Sequence, residues 1–463
     1  MSGHYAFRYR SVDKGDPNTV DHLWAIGSFV ADGKGAISGG KIDLNDVNRG
    51  QTSAPLTAAF TGTYSVSADG RGTGTLTVQK PGGAESVPLR WVMISNTAAR
   101  MIDFDDTGSG WGNIDMQDPS AFSAGLSGTY VFSYDGLQSG LWPNAAAGMF
   151  NADAGVISSG LGDFNDQNGV RQADSFEGSY TSPDPSTGRG TWVFTDPLTR
   201  FTWSFAYYLL NSSTFVFSST DQSLGTLGVA VQQDTSSSYT NGSFSGDSIF
   251  VSSGYDVVQS AGVATTSAGR ITAGGNGTLT DGVFDINGNG NISMQGAYSI
   301  SANGRGAASL TSTTDYTTHN IALYMLAPNN ALWVSLDPIV ASTGQFMPQA
   351  SGTYDNSTLH GSFAIAVRGT FVSADVDASG QMTADGAGNL MGTADMNAAG
   401  TLAPDTSFTG TDTISSNGRG QVAVALGGST VNYVIYLVSG RTAFLVPIDS
   451  GAPAALALAY RQF

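Results

Sequence analysis

Four side chains of reactive or ligand-binding type return once in each quarter of this sequence. An arginine sits inside G-R-G at Arg71, Arg189, Arg305 and Arg419. An aspartate opens D-x-N or its equivalent at Asp43, Asp163, Asp285 and Asp395. A second aspartate recurs at Asp105, Asp221, Asp337 and Asp449, and a glutamine at Gln117, Gln233, Gln349 and Gln462. A guanidinium carries five donors in a planar fork that grips a carboxylate two-pronged. Asp and Asn also close turns by bonding to their own backbone. The structural expectation is that each repeat ties its arginine to one of its own two aspartates at one end of the fold. The functional alternative is four equivalent polar sites, each holding a sugar or other small ligand.

Other chemistry is thinner. Asp285, Asn287 and Asn289 place oxygen side chains at alternate positions before Gly290, the start of a calcium loop, without the glutamate that completes an EF-hand. Calcium at Asp285, Asn287 and Asn289 is therefore an expectation for the third repeat, set against a plain hairpin turn; no other cofactor is expected. Trp111 and Trp142 lie in Gly- and Pro-rich stretches and are the candidates for exposed aromatics that could stack on a glycan. The histidines His4, His22, His319 and His360 share no repeated position. No H-E-x-x-H, G-x-S-x-G or Walker loop occurs, so no catalytic residue is assigned.

The elements that position these residues are set by repetition. Gly62-Thr-Tyr64 through Gly70-Arg71-Gly72 returns at Gly178-Ser-Tyr180, at Gly296-Ala-Tyr298 and at Gly410-Thr-Asp412. The arginines are 118, 116 and 114 residues apart. The chain is four copies of one module, with boundaries at 1–120, 121–238, 239–350 and 351–463. Within a module, short β-type runs alternate with turn signals such as Asp69-Gly70. About eight strands in such a module predict an up-and-down antiparallel barrel of lipocalin or streptavidin type, with a β-sandwich as the alternative. The sixth strand is apolar on both faces in every copy, as in Phe205-Ala-Tyr-Tyr-Leu-Leu210. Its outer face is expected to pack on the next module or a loop, or else to serve self-association or an apolar ligand. Asp412 replaces the tyrosine of the other copies, which marks module 4 as a modified end cap.

Composition agrees. The chain has 61 Gly, 35 Asp and two Glu, Glu85 and Glu177, a turn-rich balance that favours an all-β fold. The net charge of −18, with unclustered cations, argues against nucleic acid and anionic membrane. There is no cysteine, so disulfides and thiolate metal sites are excluded. No run approaches the roughly 20 apolar residues of a helical membrane span. The Ser-, Thr- and Gly-rich make-up suggests an exported chain that begins after a removed export signal or lipid anchor.

The phrases A-D-G-x-G-x-I-x-x-G…D-x-N and G-x-Y…G-R-G-T resemble exported repeat proteins and lipoproteins of soil bacteria, of acidobacterial type. The resemblance spans all four modules and implies the cell surface or exterior without an activity. The sequence thus reads as a non-enzymatic, exported structural or adhesive element of the cell surface or matrix. Its partners would be further copies of itself, as oligomer or fibre, or an extracellular glycan, with avidity supplied by the array. The alternative is a binding protein whose barrels hold a small apolar ligand or glycan. A polysaccharide-active enzyme using paired carboxylates comes third.

Overall fold

In the computed structural model, the described residues are 1–14, 21–47, 54–139, 141–195, 200, 202–256, 264–369 and 375–462. They form four tandem closed barrels of eight antiparallel strands each. Barrel 1 comprises β1 (Ser2–Asp13), β2 (His22–Asp32), β3 (Ala36–Val47), β4 (Leu56–Val66), β5 (Arg71–Lys80), β6 (Gly83–Ser95), β7 (Ala98–Asp103) and β8 (Gly108–Met116). Each strand pairs with the next, and β8 returns to β1 with Tyr5 opposite Met116. That last pairing closes the ladder and removes its edges, which sets aside the sandwich. Barrels 2, 3 and 4 repeat the order within 128–232, 245–348 and 360–461. Short 3-10 turns at Pro119–Ala121, Asn241–Ser243 and Asn356–Thr358 lie between them.

Strand alternation decides what each face does. On β1, Tyr5, Phe7 and Tyr9 point into the core of barrel 1. Ala6 and Val12, on the opposite face, join a second apolar cluster containing Ala206, Tyr208 and Val216 of barrel 2. The same division recurs. Ala145, Ala147 and Met149 of barrel 2 meet Ala322, Tyr324 and Val334 of barrel 3. Ile249 and Ala268 of barrel 3 meet Val434, Tyr436 and Phe444 of barrel 4. At each seam the first strands of one barrel cover strands six to eight of the next. The sixth strand is therefore apolar on both faces because one faces its own core and the other the preceding barrel.

Barrel 4 applies its first strands to β6, β7 and β8 of barrel 1. Trp111 donates to the Gly369 carbonyl at 3.0 Å, and Ser379 donates to the Arg100 carbonyl at 3.0 Å. Arg100 lies over the Tyr460 ring and Arg368 over the Trp111 ring. The four barrels form a head-to-tail ring within one chain, the closed outcome of a heterologous contact. This corrects the reading of module 4 as an end cap: its exit face is covered by barrel 1, as the others are by their successors. Asp412 is nonetheless buried, and burial raises its carboxyl to about 6.

Candidate functional site

The recurring polar residues come together at the seams. Arg189 of barrel 2 donates through Nε and Nη2 to the two oxygens of Asp43 in barrel 1, at 2.8 and 2.7 Å. Arg305 grips Asp163 at 2.9 and 2.6 Å, and Arg419 grips Asp285 at 3.0 and 2.8 Å. This overturns the expectation of a pair inside each module. The arginine opens the fifth strand with its side chain turned out of the barrel, where the third strand of the preceding barrel presents its aspartate. A tyrosine on the sixth strand completes each of these three pairs: Tyr208 donates to Asp43 at 2.8 Å, and Tyr324 and Tyr436 donate to Asp163 and Asp285. Burial, then the adjacent carboxylate, pushes the Tyr208 phenol well above its ordinary range, so it stays a donor.

The glutamines serve the same seams. Gln117 donates to the carbonyls of Thr187 and Leu209, Gln233 to those of Asn303 and Met325, and Gln349 to those of Asn417 and Leu437. Gln462 reaches the carbonyls of Asp69 and Met93 in barrel 1 and so helps close the ring. The first glycine of G-R-G is required here: Gly304 has φ 90°, and a Cβ on it would stand 2.5 Å from the Gln233 amide nitrogen.

The second aspartate acts within its own barrel. Asp221 caps Ser223, Asp105 caps Thr107, Asp449 holds Asn432, and Asp337 bonds to Asn320 and His319. Its backbone is what the neighbour reads: Asn45 donates to the Asp221 carbonyl, Asn165 to that of Asp337 and Asn397 to that of Asp105. Asn287 departs from this pattern and accepts from the Thr266 amide of its own barrel. Of the three residues read as a calcium loop, Asp285 gives both oxygens to Arg419, and Asn289 opens a strand. Trp111 is not an exposed aromatic. It is sandwiched between Arg10 and Arg368 in the closing seam. Trp142 begins a strand of barrel 2 and is half-buried.

The closing seam is built differently. Val92 occupies the place held by Tyr208, Tyr324 and Tyr436, as its pairing opposite Arg71 shows. Arg71 reaches Asp395 only at 3.8 Å and shares itself with Asp69 and the exposed Asp405.

The barrel interiors were not legible from spacing, and they diverge. Barrel 2 is packed with aromatic rings: Phe132, Trp192, Phe194, Phe205 and Phe217 are fully buried and in mutual ring contact. In barrel 3 the buried cluster gathers Phe250, Leu323, Trp333 and Phe346. Barrel 4 has Ala378, Ala394 and Ala459 at inward positions and encloses a cavity of about 330 Å³, walled by Val422, Ile435 and Leu445. Barrel 1 encloses about 320 Å³ between Phe29, Leu76 and Trp91. One end of that second cavity is acidic, with Asp13, Asp21, Asp46, Glu85, Asp103 and Asp105 around it. Burial, then the Asp105 charge, pushes the Asp103 carboxyl up to about 7. Burial, then Asp21 and Asp13, raises Asp46 to about 6.

Among solved structures, the chain is similar to a double mutant of the vaccine antigen transferrin binding protein B from Haemophilus parasuis Hp5. The identity is 10%, over 79% of this chain and 83% of that one, with a TM-score of 0.19. No family model and no curated protein matches the chain.

Two predictions follow from the geometry. Arg305→Ala strands the fully buried Asp163 and is expected to cost about 3–5 kcal/mol in chemical denaturation. Arg71→Ala, whose partners are distant or exposed, should cost about 1 kcal/mol or less; equal losses would contradict the assigned difference between seams. Asp46 and Asp103 hold folded pKa values above the unfolded value near 3.8. Their contribution is complete below that value and is lost as pH rises through about 6 and 7. The melting temperature should therefore fall between pH 5 and pH 8, and the Asp46→Asn/Asp103→Asn double variant should flatten that fall. An unchanged slope would show that these carboxyls do not titrate as their burial requires.

Proposed function

We propose that this chain is a binding protein in which barrels 1 and 4 take up small apolar ligands, while the ring and the packed barrels 2 and 3 form its scaffold. The observation that carries this reading is the contrast between barrel interiors within one repeat. The same eight-stranded frame is packed with Phe and Trp in barrel 2 and lined with Ala, Val and Leu around open space in barrel 4. A scaffold alone gains nothing from a hollow barrel, since unfilled apolar volume costs stability at about 24 cal/mol per Å³. Cavities of this size suit a ligand of modest length, held chiefly by apolar contact.

The structural or adhesive reading has less support. The faces that would stack modules into a fibre are used within the chain, between barrel 4 and barrel 1. Composition and the G-R-G resemblance still favour a setting outside the cell, where such a carrier or receptor would meet its ligand. The repeated Arg and Asp residues are assigned to holding the ring, not to catalysis.

N-phenyl-1-naphthylamine, a neutral apolar fluorophore, tests the reading. Its emission should rise and saturate near two molecules per chain. Leu76→Trp, which fills barrel 1, and Ala394→Trp, which fills barrel 4, should each remove one site, and together they should remove both. Absent enhancement, or enhancement untouched by the double variant, would sink the proposal.

A further inference from the structure

The two hollow barrels offer different chemistry. The cavity of barrel 4 is lined by apolar side chains from Leu359 to Ala459, with Tyr433 the one residue among them that carries a polar side-chain atom. The cavity of barrel 1 has apolar walls and an acidic end, and the acidic residues come from different strands. Asp13 ends β1, Asp46 is near the end of β3, Glu85 is near the start of β6, and Asp103 ends β7. In an antiparallel ladder, those positions fall at the same end of the barrel. Among the described residues lining the cavity, the one cationic side chain is Lys80, and it is paired with Glu85.

Asp103 is the decisive side chain. It is 5% exposed and lines the cavity. Its Oδ2 accepts from Tyr9 at 2.8 Å, while its Oδ1 is buried without a hydrogen-bond partner. Asp46 likewise buries an Oδ1 that no protein group satisfies. A buried acceptor left unpaired costs free energy that a donor in the cavity would recover. A neutral donor would satisfy one oxygen, but a group of like charges held together calls for a positive one. The seam carboxylates Asp43, Asp163 and Asp285 are equally buried, and each of those has its guanidinium. Asp103, which is buried, and Asp46, which is half-buried with its Oδ1 inside, open onto a cavity instead.

Resting on the reading of hollow barrels as binding sites, we infer that barrel 1 takes a cationic amphiphile: an apolar body in the barrel and a protonated amine at its acidic end, bonded by Asp103 and Asp46. Barrel 4 takes a neutral apolar molecule. The amine is a donor with no acceptor capacity, which suits two unpaired carboxylate oxygens. Tyr9 holds Asp103 in place and is a positioning residue.

The groups that set the charge dependence are Asp13, Asp21, Asp46, Glu85, Asp103 and Asp105, with Asp377 of barrel 4 also felt by Asp103, Tyr9 as a donor and Lys80 opposing them. Burial keeps Asp103 and Asp46 partly protonated near neutrality, so an ammonium that binds them expels protons. Affinity for the amine should rise from pH 5.5 to pH 8, and affinity for a neutral chain should not.

The test uses the full chain carrying Ala394→Trp, so that the fluorophore reports on barrel 1 alone. Decylamine, decanol and decanoate are titrated against bound N-phenyl-1-naphthylamine at pH 7.5. Decylamine is expected to displace it at a concentration roughly tenfold lower than decanol, with decanoate weakest. Adding Asp46→Asn and Asp103→Asn should bring decylamine and decanol to within about twofold while the fluorophore still binds. Decanol equal to decylamine in the parent, or an amine preference that survives both Asn substitutions, would overturn the inference and leave the hollow-barrel reading standing. A chain that binds no fluorophore in barrel 1 would overturn both.

Discussion

Everything about the arrangement of this molecule depends on an arginine of one barrel gripping a buried aspartate of the barrel before it. Asp163 and Asp285 are fully buried, and a buried carboxylate is tolerated only with a partner of good geometry. Arg305 and Arg419 supply that geometry from the next module, with Tyr324 and Tyr436 beside them. The requirement explains the repeated phrases together. G-R-G places a tight turn under the preceding barrel's glutamine and aims the arginine outward. D-x-N supplies the carboxylate and, at three of the seams, an amide for the neighbour's carbonyls. The doubly apolar sixth strand gives the seam its hydrophobic area. An ion pair of this kind adds orientation more than net stability, and four modules oriented alike close into a ring.

Much of the fold was legible because its signals are local. Asp69-Gly70 and its counterparts mark hairpins, and eight such runs per module leave few alternatives to a closed ladder. The partner of the arginine was not legible, for a reason rooted in repetition. Asp43 is in phase with Arg71 and equally in phase with Arg189, so spacing cannot say whether the pair lies within a module or across a seam. Only the outward direction of Arg189 on its strand decides it. The phenols were missed too, although Tyr208, Tyr324 and Tyr436 occupy one repeated position and Val92 breaks the series. That pattern was the available signal, and reading the strand for hydrophobicity alone hid it.

The candidate binding sites were less accessible still. Whether a barrel is hollow depends on which alternate residues point inward, and a slip of one residue exchanges Ala394 for a seam position. The acidic end of barrel 1 was equally hidden, since Asp13, Asp46 and Asp103 are far apart in sequence and are unremarkable among 35 aspartates. Once register is known, the division of labour is plain. Barrels 2 and 3 carry packed cores and two of the tyrosine-completed seams, Tyr324 between them and Tyr436 onto barrel 4. Barrels 1 and 4 carry the cavities and flank the seam that lacks the tyrosine. Rigidity and open volume are thus placed on different copies of one module, so neither function has to be compromised within a single barrel.

The ring is the claim on which the rest stands, and small-angle X-ray scattering of the purified chain tests it most directly. A closed ring predicts a compact particle, with a radius of gyration near the roughly 23 Å of a globular chain of this length or slightly above it. Its maximum dimension should be about that of two barrels side by side. An elongated distance distribution, with a maximum dimension of four barrels in a row, would show that barrel 4 does not meet barrel 1 and would contradict the account.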